Sequence, residues 1–192
     1  MKGAATLLVL ALAPAWPQVS KPGAVTAARA APAPQAALTP AKPMRIAPQA
    51  FTDLERRFDT KLSAIGNVND PLDLLGATRG LYLDGYGAVF TTELSLIVTP
   101  SINPWRQQIT KEEAARVHQR KLDRVAPLRQ AMKDMVKTSA MTLTQIPDNQ
   151  QIVVVVRLLY LPWEDTTGMV GQILMKADRK AALAGDIKTE EQ

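Results

Sequence analysis

Residues 80–98 read GLYLDGYGAVFTTELSLIV, and this segment gives the clearest indication of the fold class. Asp84 and Gly85 separate two runs rich in nonpolar and β-branched residues, and this dipeptide is typical of the tight turn in a two-residue β-hairpin. In the second run the even-numbered positions are mostly nonpolar, whereas the odd-numbered ones include Glu93. Such alternation predicts a strand with one face on the core and one face partly in water.

A second β segment lies further along the chain. Residues 152–161, IVVVVRLLYL, are almost continuously nonpolar, which is typical of a central strand buried on both faces. Pro162 ends this run, and the loop over residues 163–168 leads to another predicted strand over residues 170–176. The chain therefore carries the pattern of two hairpins.

Two short helical segments are predicted before the first hairpin. The T-x-x-E pattern from Thr52 to Glu55 matches a capping box, and it begins an amphipathic helix that Gly66 ends. Asp70 and Pro71 begin a second short helical piece, as its cap and its first residue.

A long helix is predicted between the hairpins. Its capping box runs from Thr110 to Glu113, and the helical pattern extends to about residue 140. Pro127 lies inside this pattern and is expected to kink or split the helix. A short helix over residues 178–184, capped by Asp178 and ended by Gly185, follows the second hairpin.

The order α-ββ-α-ββ-α predicts an α+β fold. We expect an antiparallel sheet of about four strands, formed by the two hairpins, with the long Pro-kinked helix on one face. The globular domain is expected over residues 51–185, followed by a polar, frayed tail over residues 186–192.

Residues 1–15 have the order of a secretory signal peptide. Lys2 gives a positive start, residues 4–13 are nonpolar, and Ala13 and Ala15 form an A-x-A-like cleavage site. The nonpolar run is shorter than the roughly 20 residues that span a bilayer. We therefore expect export to the periplasm or the extracellular space, with no transmembrane helix in the mature chain. The alternative is a nonpolar tail on a cytosolic protein.

Residues 16–50 are interpreted as a disordered, Ala/Pro-rich linker. They hold seven of the 14 prolines and no acidic residue. Spaced prolines with few large nonpolar side chains favour a semi-stiff spacer. Its cations could contact an anionic envelope polymer, although a solvated tether explains them as well.

The basic excess lies outside the expected domain. The formal charge is +5, but five basic residues precede the first acidic one, Asp53, which leaves 18 basic and 18 acidic residues from position 51 onward. A nucleic-acid-binding domain usually carries its basic excess on the fold, so no nucleic-acid partner is expected. Without cysteine, and with His118 as the one histidine, thiolate and multi-histidine metal sites are excluded, and no cofactor or metal is expected.

Four carboxylates are the candidate catalytic residues: Asp84, Glu93, Glu164 and Asp165. Carboxylates at strand ends could share acid and base roles or bind a divalent cation. Each also has a structural explanation, such as the Asp-Gly turn for Asp84. His118, a candidate general base, is explained equally by a place at the edge of a helix face.

Arg116, Arg120 and Arg124 repeat every four residues on the long helix and form a candidate partner-binding stripe. Such a stripe could dock an acidic protein or an anionic envelope polymer, and the alternative is a solvated helix face.

No hydrolase, nucleotide-binding or zinc-protease motif occurs in the chain. The sequence therefore favours an exported soluble domain that acts as a non-catalytic binding or structural module of the cell envelope or extracellular space. The alternative is a small carboxylate-based hydrolase, with or without a divalent cation.

Overall fold

The structure is a computed structural model that describes residues 46–100 and 108–192. The predicted signal peptide, with Ala13 and Ala15, and most of the predicted linker lie outside these ranges. The elements in chain order are α1 (Pro48–Ser63), β1 (Asp73–Leu74), β2 (Arg79–Leu83), β3 (Gly87–Ser95), α2 (Lys111–Thr142), β4 (Gln151–Leu158), β5 (Gln172–Asp178), α3 (Arg179–Ala184) and β6 (Lys188–Glu191).

The six strands form one mixed sheet. Strands β1 and β2 both pair antiparallel with β3, and β3 pairs in parallel with β4. Strands β4, β5 and β6 continue the sheet as antiparallel neighbours. The α+β class is confirmed, but the expected sheet of about four antiparallel strands is wrong. The reason is α2, which returns the chain to the starting end of β3, so that β4 runs in the same direction.

One face of the sheet packs against the helices and forms the core. The even-numbered side chains of β3 point to this face, as predicted, and Phe90 contacts Phe58 of α1 with ring centroids 4.9 Å apart. The opposite face carries exposed polar side chains such as Thr91 and Glu93. The buried core also includes Leu54, Leu62, Leu128, Met132, Met135, Val136, Ile152, Val154, Val156, Ile173 and Met175.

The start of the first helix differs from the prediction. Helix α1 begins at Pro48, inside the segment interpreted as linker, because proline at the first helical position already has the required φ. Thr52 is therefore inside the helix, where its hydroxyl donates to Pro48 O, and the predicted capping box is wrong. Glu55 instead accepts a hydrogen bond from Gly80 N at 2.7 Å, which joins α1 to β2. The predicted second helical piece is also wrong, since its residues contribute β1.

The hairpin turn is one residue longer than predicted. Leu83 pairs with Gly87, so three residues connect β2 to β3, and Gly85 has a φ of 75°. Gly87 has a φ of 136°, and a Cβ atom there would lie 1.9 Å from Gln151 O. The parallel strand β4 can therefore approach the start of β3 only because position 87 is glycine.

The predicted N-terminal caps of the two other helices are confirmed, whereas α1 ends at Ser63, before the predicted end at Gly66. Thr110 Oγ1 accepts from Glu113 N at 3.2 Å and caps α2, and Asp178 Oδ1 accepts from Ala181 N at 2.7 Å and caps α3. Helix α2 continues through Pro127, so the predicted split does not occur. The frayed tail expected after residue 185 is instead ordered in part, because Lys188–Glu191 forms the edge strand β6.

Candidate functional site

Asp84 and Glu93 lie at opposite ends of the first hairpin. Asp84 is in the turn before β3, and Glu93 is near the other end of that strand. At about 3.3 Å per residue, their backbones are roughly 30 Å apart. Glu93 Oε1 accepts from Arg157 Nη1 at 3.3 Å in an exposed pair on the open face of the sheet. These two carboxylates do not converge.

Asp165 and His118 serve a local structural role. Asp165 Oδ1 accepts from Thr167 N at 2.9 Å, and hydrogen bonds from Thr167 lower the pKa of this exposed carboxyl group. The Asp165 carbonyl oxygen lies 2.9 Å from His118 Nδ1. The histidine therefore ties the loop after β4 to α2.

Glu164 forms a buried ion pair with Lys121. Lys121 Nζ donates to Glu164 Oε2 at 2.5 Å, and each side chain is only 2% exposed. The same Nζ lies 3.4 Å from Leu159 O and 4.9 Å from the centroid of the Tyr160 ring. Helix α2 thus anchors the segment that follows β4 through one charged contact.

Burial changes the ionisation of the groups around this pair. Burial lowers the pKa of Lys121, and the hydrogen bond to Glu164 opposes this effect. Burial, together with the charge of Glu164, raises the pKa of Tyr160 to about 12. Tyr160 is therefore neutral near pH 7, and its hydroxyl donates to Val170 O at 2.8 Å.

A cavity of about 260 Å³ lies beside the ion pair, and we call it the strand-end cavity. Its lining comes from the start of β1 and from the segments at and beyond the carboxyl ends of β3 and β4. Ligands commonly bind at the carboxyl ends of parallel strands in sheets with helical crossovers. The lining residues are Asp73, Leu75, Ser95, Thr99, Leu159, Tyr160, Leu161 and Glu164.

Two carboxyl groups that line the strand-end cavity can accept further hydrogen bonds. Glu164 Oε1 is buried and accepts no hydrogen bond from the residues that the structure describes. Asp73 is half-buried, and its carboxylate has no ion pair within the same ranges. Buried polar atoms are normally hydrogen-bonded, so Glu164 Oε1 indicates a site for a further donor.

Two arginines of the predicted stripe are engaged inside the domain. Arg124 is buried, with its guanidinium 2.5 Å from both Leu96 O and Asp70 O. Arg120 and Arg124 both pair with the Asp70 carboxylate, and the hydrogen bond from Arg120 is the main reason that the pKa of Asp70 is lowered. Arg116 is exposed.

The buried stripe of α2 explains why Lys121 was not predicted. The first turns of the helix bury Val117, Lys121 and Arg124, whereas the sequence analysis placed His118 at the edge of the buried face. Lys121 lies four residues after Val117 and four before Val125, and this helical spacing was the available signal. Asp73 was missed because its segment was interpreted as helical.

Two further cavities border the open face and its edge. One, of about 380 Å³, is lined by residues that include Arg79, Glu93 and Arg157. The other, of about 440 Å³, is lined by residues that include Lys176 and Lys188. Glu93 and Glu164 therefore border different cavities.

Within residues 46–100 and 108–192, no group of three or more His, Asp or Glu side chains is arranged to hold a metal ion. Over the same ranges, no helix is both long enough and nonpolar enough to span a membrane. Comparisons of the chain with protein-family models, with curated proteins and with solved structures give no match.

Proposed function

We propose that this chain is an exported soluble domain that acts as a non-catalytic binding module of the cell envelope or extracellular space. Its export is supported by the order of charge, nonpolar run and cleavage site in residues 1–15. A binding role is favoured over a purely structural one because a defined cavity lies at the carboxyl ends of the parallel strands.

The observation that carries the binding role is the unused oxygen of Glu164. A buried acceptor without a donor destabilises the fold by about 1–3 kcal/mol, and more when it is charged. A ligand donor at Oε1 would remove this penalty, so the cavity is suited to binding.

The non-catalytic proposal is supported by the placement of the four candidate carboxylates. Asp84 is remote from the others, and Glu93 and Asp165 are engaged in an exposed ion pair and a local turn. Glu164 is held by Lys121. A shared acid and base role needs two carboxyl groups directed at one substrate, and the positions of these four residues give no support for such a pair.

Fractionation of a host that expresses the full chain with a C-terminal tag tests the export proposal. We expect the exported chain to begin at Trp16, as read from the mass of the intact protein. Leu8→Arg interrupts the nonpolar run and should block export, whereas Val25→Arg in the predicted linker should not. Retention of the unprocessed wild-type chain in the cytoplasm would contradict the proposal.

A partner contact through the basic residues remains a second part of this proposal. Arg116 and the cations before position 46 supply positive charge for an anionic envelope polymer or an acidic protein. Arg116→Glu should weaken retention of the chain on an anionic polymer, because the variant replaces a positive charge with a negative one. The measurement is made at low salt, since high salt screens this attraction. Equal retention of the variant and the wild type would remove Arg116 from the contact.

The alternative function is a small carboxylate-based hydrolase, with or without a divalent cation. One observation supports it, since Asp73 and Glu164 line the same cavity. Millimolar Mg²⁺ or Ca²⁺ should then raise the melting temperature, and Asp73→Asn should abolish the increase. Equal melting temperatures with and without these ions would count against the cation-dependent form.

A further inference from the structure

We infer that the strand-end cavity binds a small primary ammonium compound, with the ammonium group between Glu164 Oε1 and the Asp73 carboxylate. This inference rests on the proposed binding function and names the chemical class of its ligand.

The charge of the lining favours a cation. Lys121 neutralises Glu164 through Oε2, so the pair has no net charge. Asp73 adds one negative charge that no ion pair within the described ranges compensates. One positive charge on the ligand would balance the cavity, whereas an anion would meet two carboxylates and be repelled.

The hydrogen-bonding groups favour a ligand with several donors. Glu164 Oε1 and Asp73 are acceptors, and Ser95 Oγ already donates its proton to Ile97 O at 2.9 Å. Ser95 can therefore offer only its lone pairs to a ligand. A primary ammonium group has three N–H donors, which matches a site that presents acceptors.

The remaining walls favour a short nonpolar body. Leu75, Leu159 and Leu161 line the cavity together with the ring of Tyr160. These side chains supply no ligand atoms for a hydrated metal ion, but they can cover a hydrocarbon chain. The volume of about 260 Å³ limits the ligand to a small molecule.

Thermal unfolding of the mature full chain with four probes tests this inference. Butylammonium carries the charge, the donors and the nonpolar body. Tetramethylammonium has the charge without N–H donors, butanol has the nonpolar body without charge, and Mg²⁺ tests a metal site. We expect a saturable increase in melting temperature with butylammonium at millimolar concentrations, and none with the other three.

Variants locate the response in the cavity. Asp73→Asn should weaken butylammonium binding by about tenfold or more, whereas Asp84→Asn, which removes the same charge at the distant turn, should leave it unchanged. The double variant with Lys121→Met and Glu164→Gln leaves the net charge of the cavity unchanged but replaces the Glu164 carboxylate by a neutral amide, so it should weaken the response while remaining folded by circular dichroism. Should this double variant fail to fold, Asp73→Asn still decides the outcome.

Three results would overturn the inference: equal responses to butylammonium and tetramethylammonium, a response to Mg²⁺ alone, or equal butylammonium binding by Asp73→Asn and the wild type. If the chain is exported but its melting temperature does not change with butylammonium, this ligand class is excluded and the export proposal is unaffected. A chain that binds butylammonium but stays in the cytoplasm would support the inference and contradict export.

Discussion

At the scale of single residues, Lys121 and Glu164 pair across 43 positions of the chain, and their side chains are each 2% exposed. Removing one partner of a buried pair leaves an uncompensated charge and typically destabilises a protein by about 3–5 kcal/mol. We therefore expect Lys121→Met to cause a loss of this order in urea unfolding. Lys61→Met, which breaks a partly exposed pair with Asp134, should cost below about 1 kcal/mol. Equal losses would contradict the structural role of the buried pair.

The ionisation of Asp70 makes the folding stability of the domain depend on pH. Its pKa is lowered from 3.8, chiefly by the hydrogen bond from Arg120. The stability that this carboxylate contributes is therefore complete above pH 3.8 and is lost as the pH falls through the lower folded-state value. Asp70→Asn should be less stable than the wild type at neutral pH by about 1–2 kcal/mol, and this difference should narrow below pH 3.8.

Denaturant unfolding at neutral pH and below pH 3.8 measures the difference in stability between Asp70→Asn and the wild type. Asp84→Asn is the control for the loss of one negative charge elsewhere. A difference between Asp70→Asn and the wild type that stays constant into acid would show that the ionised form of Asp70 adds no stability.

Gly85 in the hairpin turn and Gly87 at the start of β3 differ in the space around them. A Cβ atom at Gly87 would lie 1.9 Å from Gln151 O, whereas one at Gly85 would meet no atom within 4 Å. Both residues have positive φ, so alanine is strained at either position. Gly85→Ala should cost about 1 kcal/mol, and Gly87→Ala should cost more because β4 must also move. Similar melting temperatures for the two variants would contradict the close approach of β3 and β4.

At the scale of secondary-structure elements, α2 carries Pro127 without interruption. Proline in a helix interior removes a backbone hydrogen bond and disfavours the helix by about 3 kcal/mol relative to alanine. Pro127 is exposed, so little packing would be lost on its replacement. Pro127→Ala should therefore raise the melting temperature, and a lower value would indicate that the helix needs its proline for packing.

Local signals in the sequence predicted several elements correctly. The caps at Thr110 and Asp178 each depend on a hydrogen bond to a residue only three positions away, so both partners can be recognised within one short stretch of sequence. The same reasoning failed at Thr52, because Pro48 begins that helix one turn earlier. The direction of β4 was missed for a different reason, since it depends on where α2 returns the chain, which no neighbouring residues determine.

At the scale of the whole molecule, the strand-end cavity combines residues from distant parts of the chain. Asp73, Ser95 and Glu164 come from three separate segments, and Lys121 of α2 completes the charge balance. The sequence singled out Glu164 for its position after a strand, and the helical spacing of Lys121 indicated that this lysine is buried but not which residue it pairs with. The pairing requires β3 and β4 to be parallel neighbours with α2 packed across them.

Ligand binding at the carboxyl ends of β3 and β4 is the basis of the proposed function. An amide NMR titration of the full chain with butylammonium tests it directly, because each backbone amide reports on its own surroundings. We predict saturable shifts concentrated at Ser95, Tyr160 and Glu164, with little change at Gly85, at the other end of the sheet. Shifts spread evenly over the surface, shifts centred on Gly85, or no saturable shift would contradict ligand binding at the carboxyl ends of these strands.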